Sequence, residues 1–244
     1  MAASRKEYDR MKKLNCLTAA LLTVLTLWGC SAEPEPAPEP ETESAAVLPP
    51  TRLGENLGEN ITIDQLFSLE SAFEEADLAA LVRVGDWLAE DESGPYTLFS
   101  CQVLKIFKGE VAEDAGDEIL LSQFGGTRGT VPGYPLFTAG NELLVFLKQI
   151  PSEEHNNGYW LLGSFTTFFD AVRDGNGDLY YLDRFGVLGD TVSGCANFLF
   201  DADKAGELSR IAAEADPAAE AYRYHYIFSA AELDPVLEKL KTAE

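Results

Sequence analysis

Five short apolar or alternating runs occupy the centre of this 244-residue chain, and they constrain its fold more than any other feature. They are Leu81-Val82-Arg83-Val84, Tyr96 to Phe107, Glu118 to Phe124, Glu142 to Gln149 and Tyr159 to Val172. Clusters of Gly, Pro and Asp separate them, and no helix of crossover length lies between them, so consecutive runs are read as strands joined by turns. That pattern argues against a βαβ fold and predicts an antiparallel barrel or sandwich. The run from Tyr96 is apolar on both faces, as a long, bent strand in a barrel wall would be. Lys108-Gly109 and the acidic loop Glu110 to Glu118 then turn the chain back.

Helical signals flank these runs. Thr62-Ile63-Asp64-Gln65 has the spacing of a capping box, and Leu66, Leu69, Phe73 and Ala76 follow at helical intervals, which predicts a helix over 63–76. Asp174-Gly175-Asn176-Gly177-Asp178 predicts a hairpin turn, since these residues tolerate positive φ. Asp201 to Ala215 is Ala-rich and amphipathic. Asp234-Pro235 predicts an N-cap before a proline in the first helical position, opening a last helix that runs to about Thr242. Tyr222, Tyr224, Tyr226 and Phe228 alternate around His225, as the residues of a half-buried strand do.

The N-terminus carries an address. Lys12 and Lys13 precede an apolar stretch from Leu14 to Trp28, a charged region followed by a hydrophobic one. The stretch is shorter than the ~20 residues that a spanning helix needs, so it is read as a cleaved export signal over 1–29 whose true start is Met11. Its end, Leu27-Trp28-Gly29-Cys30, resembles the bacterial lipobox, which implies diacylglyceryl transfer to Cys30 and cleavage just before it. Trp28 departs from the small residue usual at its position. Residues 30–50, rich in Pro, Glu and Ala, form a semi-extended, self-repelling tether. Cleavage removes Arg5, Lys6, Arg10, Lys12 and Lys13 with Glu7 and Asp9, so the formal charge moves from −23 to −26. A surface of that sign excludes phosphate-backbone binding, which needs clustered Lys and Arg, and suits a domain held off anionic lipid.

The spacing of Ala76-Asp77-Leu78, Leu81 to Gly85, Tyr96 to Gly109, Glu118 to Leu121 with Phe124-Gly125-Gly126, and Gly140 to Leu147 resembles the netrin-like barrel over roughly 63–150. That family includes the tissue inhibitors of metalloproteinases. The resemblance implies a mainly β (α+β) fold: a five-stranded, OB-like antiparallel barrel over 51–150, with an N-terminal helix. Residues 151–244 would form a hairpin and C-terminal helices packed on it. The inhibitory function does not carry over, because those proteins reach a metal through a free N-terminal Cys and hold several disulfides. Here the candidate N-terminal Cys30 is acylated and is followed only by Cys101 and Cys195.

An exported chain can oxidise Cys101 and Cys195 into a bridge joining the barrel to the C-terminal segment, stabilising the fold by ~4 kcal/mol, or can leave two buried thiols. No His or Lys signature accompanies either thiol, so neither reads as a nucleophile. Asp174, Asn176 and Asp178 stand where a calcium loop has its first three ligands. Leu179 and Phe185 occupy the places where that loop needs Gly and Glu, so no metal site is read. Only His155 and His225 are available as imidazoles, too few for a zinc centre of several His. Motifs for serine nucleophiles, phosphate loops and dinucleotides are missing, and no catalytic residue or cofactor is expected.

The Gly-rich loop Phe124 to Pro135 carries Arg128 and Tyr134, residue types that anchor interfaces, and these two are the candidates for contacting a partner. The whole reads as an extracytoplasmic, lipid-anchored binding module with an envelope protein as partner. An envelope hydrolase working through carboxylates and a structural spacer are the alternatives.

Overall fold

The computed structural model describes residues 65–90, 96–127, 129–130, 134–151, 157–163 and 165–242. The export signal, Met11, Cys30 and the tether lie outside them, as do Thr62, Arg128 and His155. Eight strands form one sheet: β1 (Leu78–Glu90), β2 (Tyr96–Lys108), β3 (Glu118–Phe124), β4 (Glu142–Gln149), β5 (Gly158–Leu161), β6 (Phe168–Arg173), β7 (Leu179–Asp183) and β8 (Tyr226–Ser229). Among the described residues three α-helices accompany them, α1 (Leu69–Glu75), α2 (Ala202–Ala215) and α3 (Ala230–Lys241).

The order β1-β2-β3-β5-β4, with β4 pairing back onto β1, closes a five-stranded, OB-like barrel. The outer side of β4 then continues through β6, β7 and β8. All pairings are antiparallel except β3–β5, which is parallel over Leu120–Ser122 and Gly158–Trp160. Directions cannot alternate all the way round a ring with an odd number of strands, so closure itself requires such a contact. The predicted antiparallel barrel is corrected at this one seam.

Inward residues of the ring, among them Leu78, Ala80, Val82, Phe99, Ile119, Leu121, Leu143 and Val145, pack as one core. The opposite faces of β1 and β4, carrying Ala79, Leu81, Leu144 and Phe146, join Phe169 and Tyr181 under α1 and α3 as a second core. Strands buried on both faces lose the polar alternation of a half-exposed strand, which explains the continuous burial of Leu143 to Leu147 in β4. A third core, built on Val172, Tyr180, Leu182 and Ile227, lies beneath Leu208 and Ala212 of α2. Four irregularities in the β1–β2 pairing bend these two 13-residue strands around the wall.

Several predicted bounds shift. The first helix begins at Leu69, with Ser68 as its cap; the Ser68 hydroxyl accepts from Ser71 N at 3.0 Å. The run Tyr159 to Val172 is two strands, β5 and β6, because Gly163 turns the chain at φ +66°. Since β5 closes the ring, the barrel extends past residue 150. The last helix starts at Ala230 with Pro235 inside it, not at Asp234-Pro235. Asp234 is engaged elsewhere: its carboxylate accepts from Lys105 Nζ at 3.0 Å and from the Tyr181 hydroxyl at 2.9 Å. Tyr222 and Tyr224 precede β8 and are not part of it. The bounds of β3, β4 and α2 agree with the predicted ones, and Asp201 caps α2 through Lys204 N.

Candidate functional site

The strands of the barrel wall alternate inward and outward, and on one side the outward set is apolar. Register places Leu98, Ser122 and Trp160 in one cross-strand row, with Tyr96 and Phe124 in a neighbouring pair. The intervening residues Thr97, Phe99, Leu121, Gln123 and Tyr159 point into the barrel and are buried. The outward Tyr96 and Trp160 stay 44% and 43% exposed. The Tyr96 and Phe124 rings meet edge-on, with centroids 5.4 Å apart. With the Gln65–Phe67 segment, Ile150 and the end of β1, these residues line a cleft of about 820 Å³. Among the described residues, no Lys or Arg lines it.

Solvation of these side chains is unfavourable by roughly 25 cal/mol for each Å² of apolar surface left in water, so an outward aromatic patch on a barrel is a surface prepared for covering. Its rim is held firmly. Glu90 of β1 accepts from Thr127 N at 3.0 Å and from Thr127 Oγ1 at 2.6 Å. A Cβ on Gly126 would lie 2.1 Å from Glu90 Oε1, so a side chain there would displace the carboxylate from this position. Inside the wall, Thr97 Oγ1 donates to Gly125 O at 2.8 Å. Gln123 donates to Pro135 O at 2.8 Å and accepts from Phe137 N at 2.8 Å. Both ends of the Gly-rich loop are thereby pinned to the barrel.

That pinning overturns the role expected of Tyr134. Its side chain is fully buried among Phe137, Phe165, Phe168 and Phe185, with ring centroids 5.3–6.2 Å away, and it contributes to the core and cannot reach a partner. Burial also raises its phenol pKa far above the usual value. Arg128 lies outside the described residues.

Cys101 and Cys195 are both free, so the bridge is not formed. Cys101 is sealed in the barrel interior, whereas Cys195 packs against the core under α1 and α3 on the far side of the sheet. Burial pushes the Cys101 thiol up to about 12 and raises Cys195 as well, so both stay protonated at neutral pH and neither is poised as a nucleophile.

The Asp174 turn uses its carboxylate internally. Oδ1 accepts from Asn176 N at 2.8 Å and Asp178 N at 2.9 Å, and Oδ2 accepts from Lys204 Nζ at 2.9 Å. Among the described residues, no group of His, Cys, Asp and Glu is arranged to hold a metal. His225 is exposed and donates its backbone N–H to Asp183 O at 2.8 Å.

The sequence reading did not single out Tyr96, Leu98, Phe124 and Trp160. The signal was present in the run from Tyr96, apolar on both faces, since a barrel strand needs apolar residues only on its inner face unless something covers the outer one. No model of a known protein family matches the chain, and no curated protein matches it.

Proposed function

We propose that this chain is an exported, lipid-anchored binding module of a bacterial envelope, and that its barrel takes an apolar, aromatic-rich segment of an envelope protein in the cleft over β2, β3 and β5. The observation that carries the reading is the outward row of Tyr96, Leu98, Phe124 and Trp160 around about 820 Å³ of open space. No described cation lines that space, which suits it poorly to phosphates. Large, rigid aromatic side chains at the centre of a contact are the types that dominate binding energy. The reading is of binding: of the two carboxylates on the cleft, Glu75 and Glu90, the second is committed to Thr127.

The anchor rests on the lipobox-like Leu27-Trp28-Gly29-Cys30 and the Pro/Glu-rich stretch after it. A single acyl chain holds only marginally, so stable anchoring needs the two or more chains that such a Cys carries. Two comparisons test the proposal. Cys30→Ala should move the protein from the membrane fraction to the soluble one and change its mass; unchanged fractionation and mass would overturn the anchor. Trp160→Ala and Tyr96→Ala should leave Tm nearly unchanged, since both side chains are already half-solvated, while abolishing crosslinks to a recurrent envelope protein on intact cells. Crosslinks that persist in both variants would remove the cleft from the account.

A further inference from the structure

The chain enters the described fold at the aromatic cleft itself. Gln65 and Phe67 both line it, so whatever precedes Gln65 in sequence is delivered to the rim shared by Tyr96, Phe124 and Trp160. This entry is fixed: Phe67 is 4% exposed, and a Cβ on Gly163 would lie 2.9 Å from its ring. The approach therefore runs beside the turn that follows β5.

Upstream, and outside the described residues, the sequence reads Val47-Leu48-Pro49-Pro50-Thr51-Arg52-Leu53. Two consecutive prolines set their own φ and bias the residue before each toward an extended conformation, so polyproline II is the form this sequence favours. With three residues per turn, Val47, Pro50 and Leu53 share one face, which makes an apolar ridge. Aromatic-lined grooves take such segments because they are already ordered and lose little entropy on docking. The spacing agrees. Leu98, Ser122 and Trp160 stand in one row across three strands, a span of about 10 Å, and one polyproline II turn rises about 9 Å.

Charge agrees as well. Arg52 is the one cation between Ser31 and Asp64, and it sits two residues after the Pro-Pro step. The described lining of the cleft holds Glu75 and Glu90 and no Lys or Arg. Eleven residues, 54–64, join Leu53 to Gln65. They reach up to about 36 Å, more than enough to double back onto a cleft where their own end is held. A link this short gives an effective concentration of about millimolar, so even a weak contact is populated.

We infer that Val47 to Leu53 of this chain is a resident ligand of the cleft: Val47, Pro50 and Leu53 lie on Tyr96, Leu98 and Trp160, and Arg52 faces the two carboxylates. An external segment must displace it, so the cleft is regulated by its own chain. The inference rests on the proposed function only in taking the cleft as a binding surface, and not on an envelope partner.

The test places p-benzoyl-phenylalanine at position 122, which lines the cleft while leaving Tyr96, Phe124 and Trp160 in place. The purified full chain is irradiated when dilute, and the adducts are mapped by mass spectrometry. The expected result is an adduct within one chain to residues 47–53. It should fall about tenfold when Pro49→Gly, Pro50→Gly and Arg52→Glu are combined, with Tm unchanged, and fall similarly with Trp160→Ala. The inference is overturned if position 122 gives no adduct, if it reacts with a different segment or a second chain, or if the combined variant gives the native yield. Purified protein contains no envelope partner, so these outcomes bear on this inference alone. Capture of an envelope protein on intact cells reads the proposed function separately, and its failure would leave an adduct to 47–53 standing.

Discussion

Tyr134 sits in a loop with four glycines, where a tyrosine reads naturally as an interface anchor, yet it ends fully buried against four phenylalanines. The residues that decided its fate follow it: Pro135-Leu136-Phe137 continues the apolar run, and Gln123 bonds the backbone at both Pro135 and Phe137. Three of the four rings come from segments more than 25 residues away, Phe165, Phe168 and Phe185, so local sequence alone does not contain the contact. The Tyr134 hydroxyl makes no well-formed hydrogen bond and has only the Gln123 side chain nearby as a polar neighbour, so Tyr134→Phe should change stability by about 1 kcal/mol or less, whereas Tyr134→Ala should cost about 3–5 kcal/mol by opening a cavity. Urea unfolding of both variants checks this, and equal effects would refute the buried placement. Gly109 is equally specific: it sits at φ +80°, and a Cβ there would lie 2.1 Å from Asp77 O. Gly109→Ala should therefore lower stability by about 2 kcal/mol or more, seen as a drop in Tm.

At the level of elements, alternation in β3, a continuous apolar run in β4 and turn residues at the hairpin after β6 made these legible, because each is a local pattern closed by turn residues. Strand β5 was not separable from β6 by the same means, since Leu161 and Leu162 continue the apolar character through the turn at Gly163. Pro235 suggested a helix start, but Asp234 is drawn into bonds with Lys105 and Tyr181 from distant strands, which no local rule shows. The hairpin turn and α2 are joined by one ionic clamp, Lys204 bonding Asp174 at 2.9 Å and Glu207 at 2.7 Å. The Lys204 ammonium holds both carboxyls below their usual values. A lowered carboxylate pKa gives stability that is complete above the unfolded value of about 4 and is lost as pH falls through the folded value. Lys204→Met should therefore lower Tm at pH 7, and the gap to the native protein should close below about pH 4. Asp183, raised by burial despite N–H donors at Phe185, Gly186 and Gly189, contributes with the opposite sign, so only the difference between the two proteins isolates the clamp. A gap that stays constant across that range would contradict it.

Across the whole molecule, the mainly β barrel was legible from five runs and their turns, but its seam was not. The parallel β3–β5 contact follows from closing an odd ring, a property of the assembled sheet and not of any segment. The cleft was hidden for a related reason. Whether the second apolar face of a strand is covered by a helix, as on β1 and β4, or left outward, as on β2, depends on where α1 and α3 dock. The same sheet thus uses one doubly apolar pair to seat helices and leaves another facing outward beside Trp160. In a chain of net charge −23, this outward patch is the surface through which the proposed module would bind.

The most direct test of that claim is a photo-reactive crosslinker placed at position 160, on intact cells, with the same substitution at Phe200 as the comparison. Phe200 is 87% exposed and does not line the cleft. A discrete protein adduct from position 160 that is missing from position 200, and that disappears when Tyr96→Ala is added, is the predicted result. No adduct at 160, or the same adducts from both positions, would contradict the account.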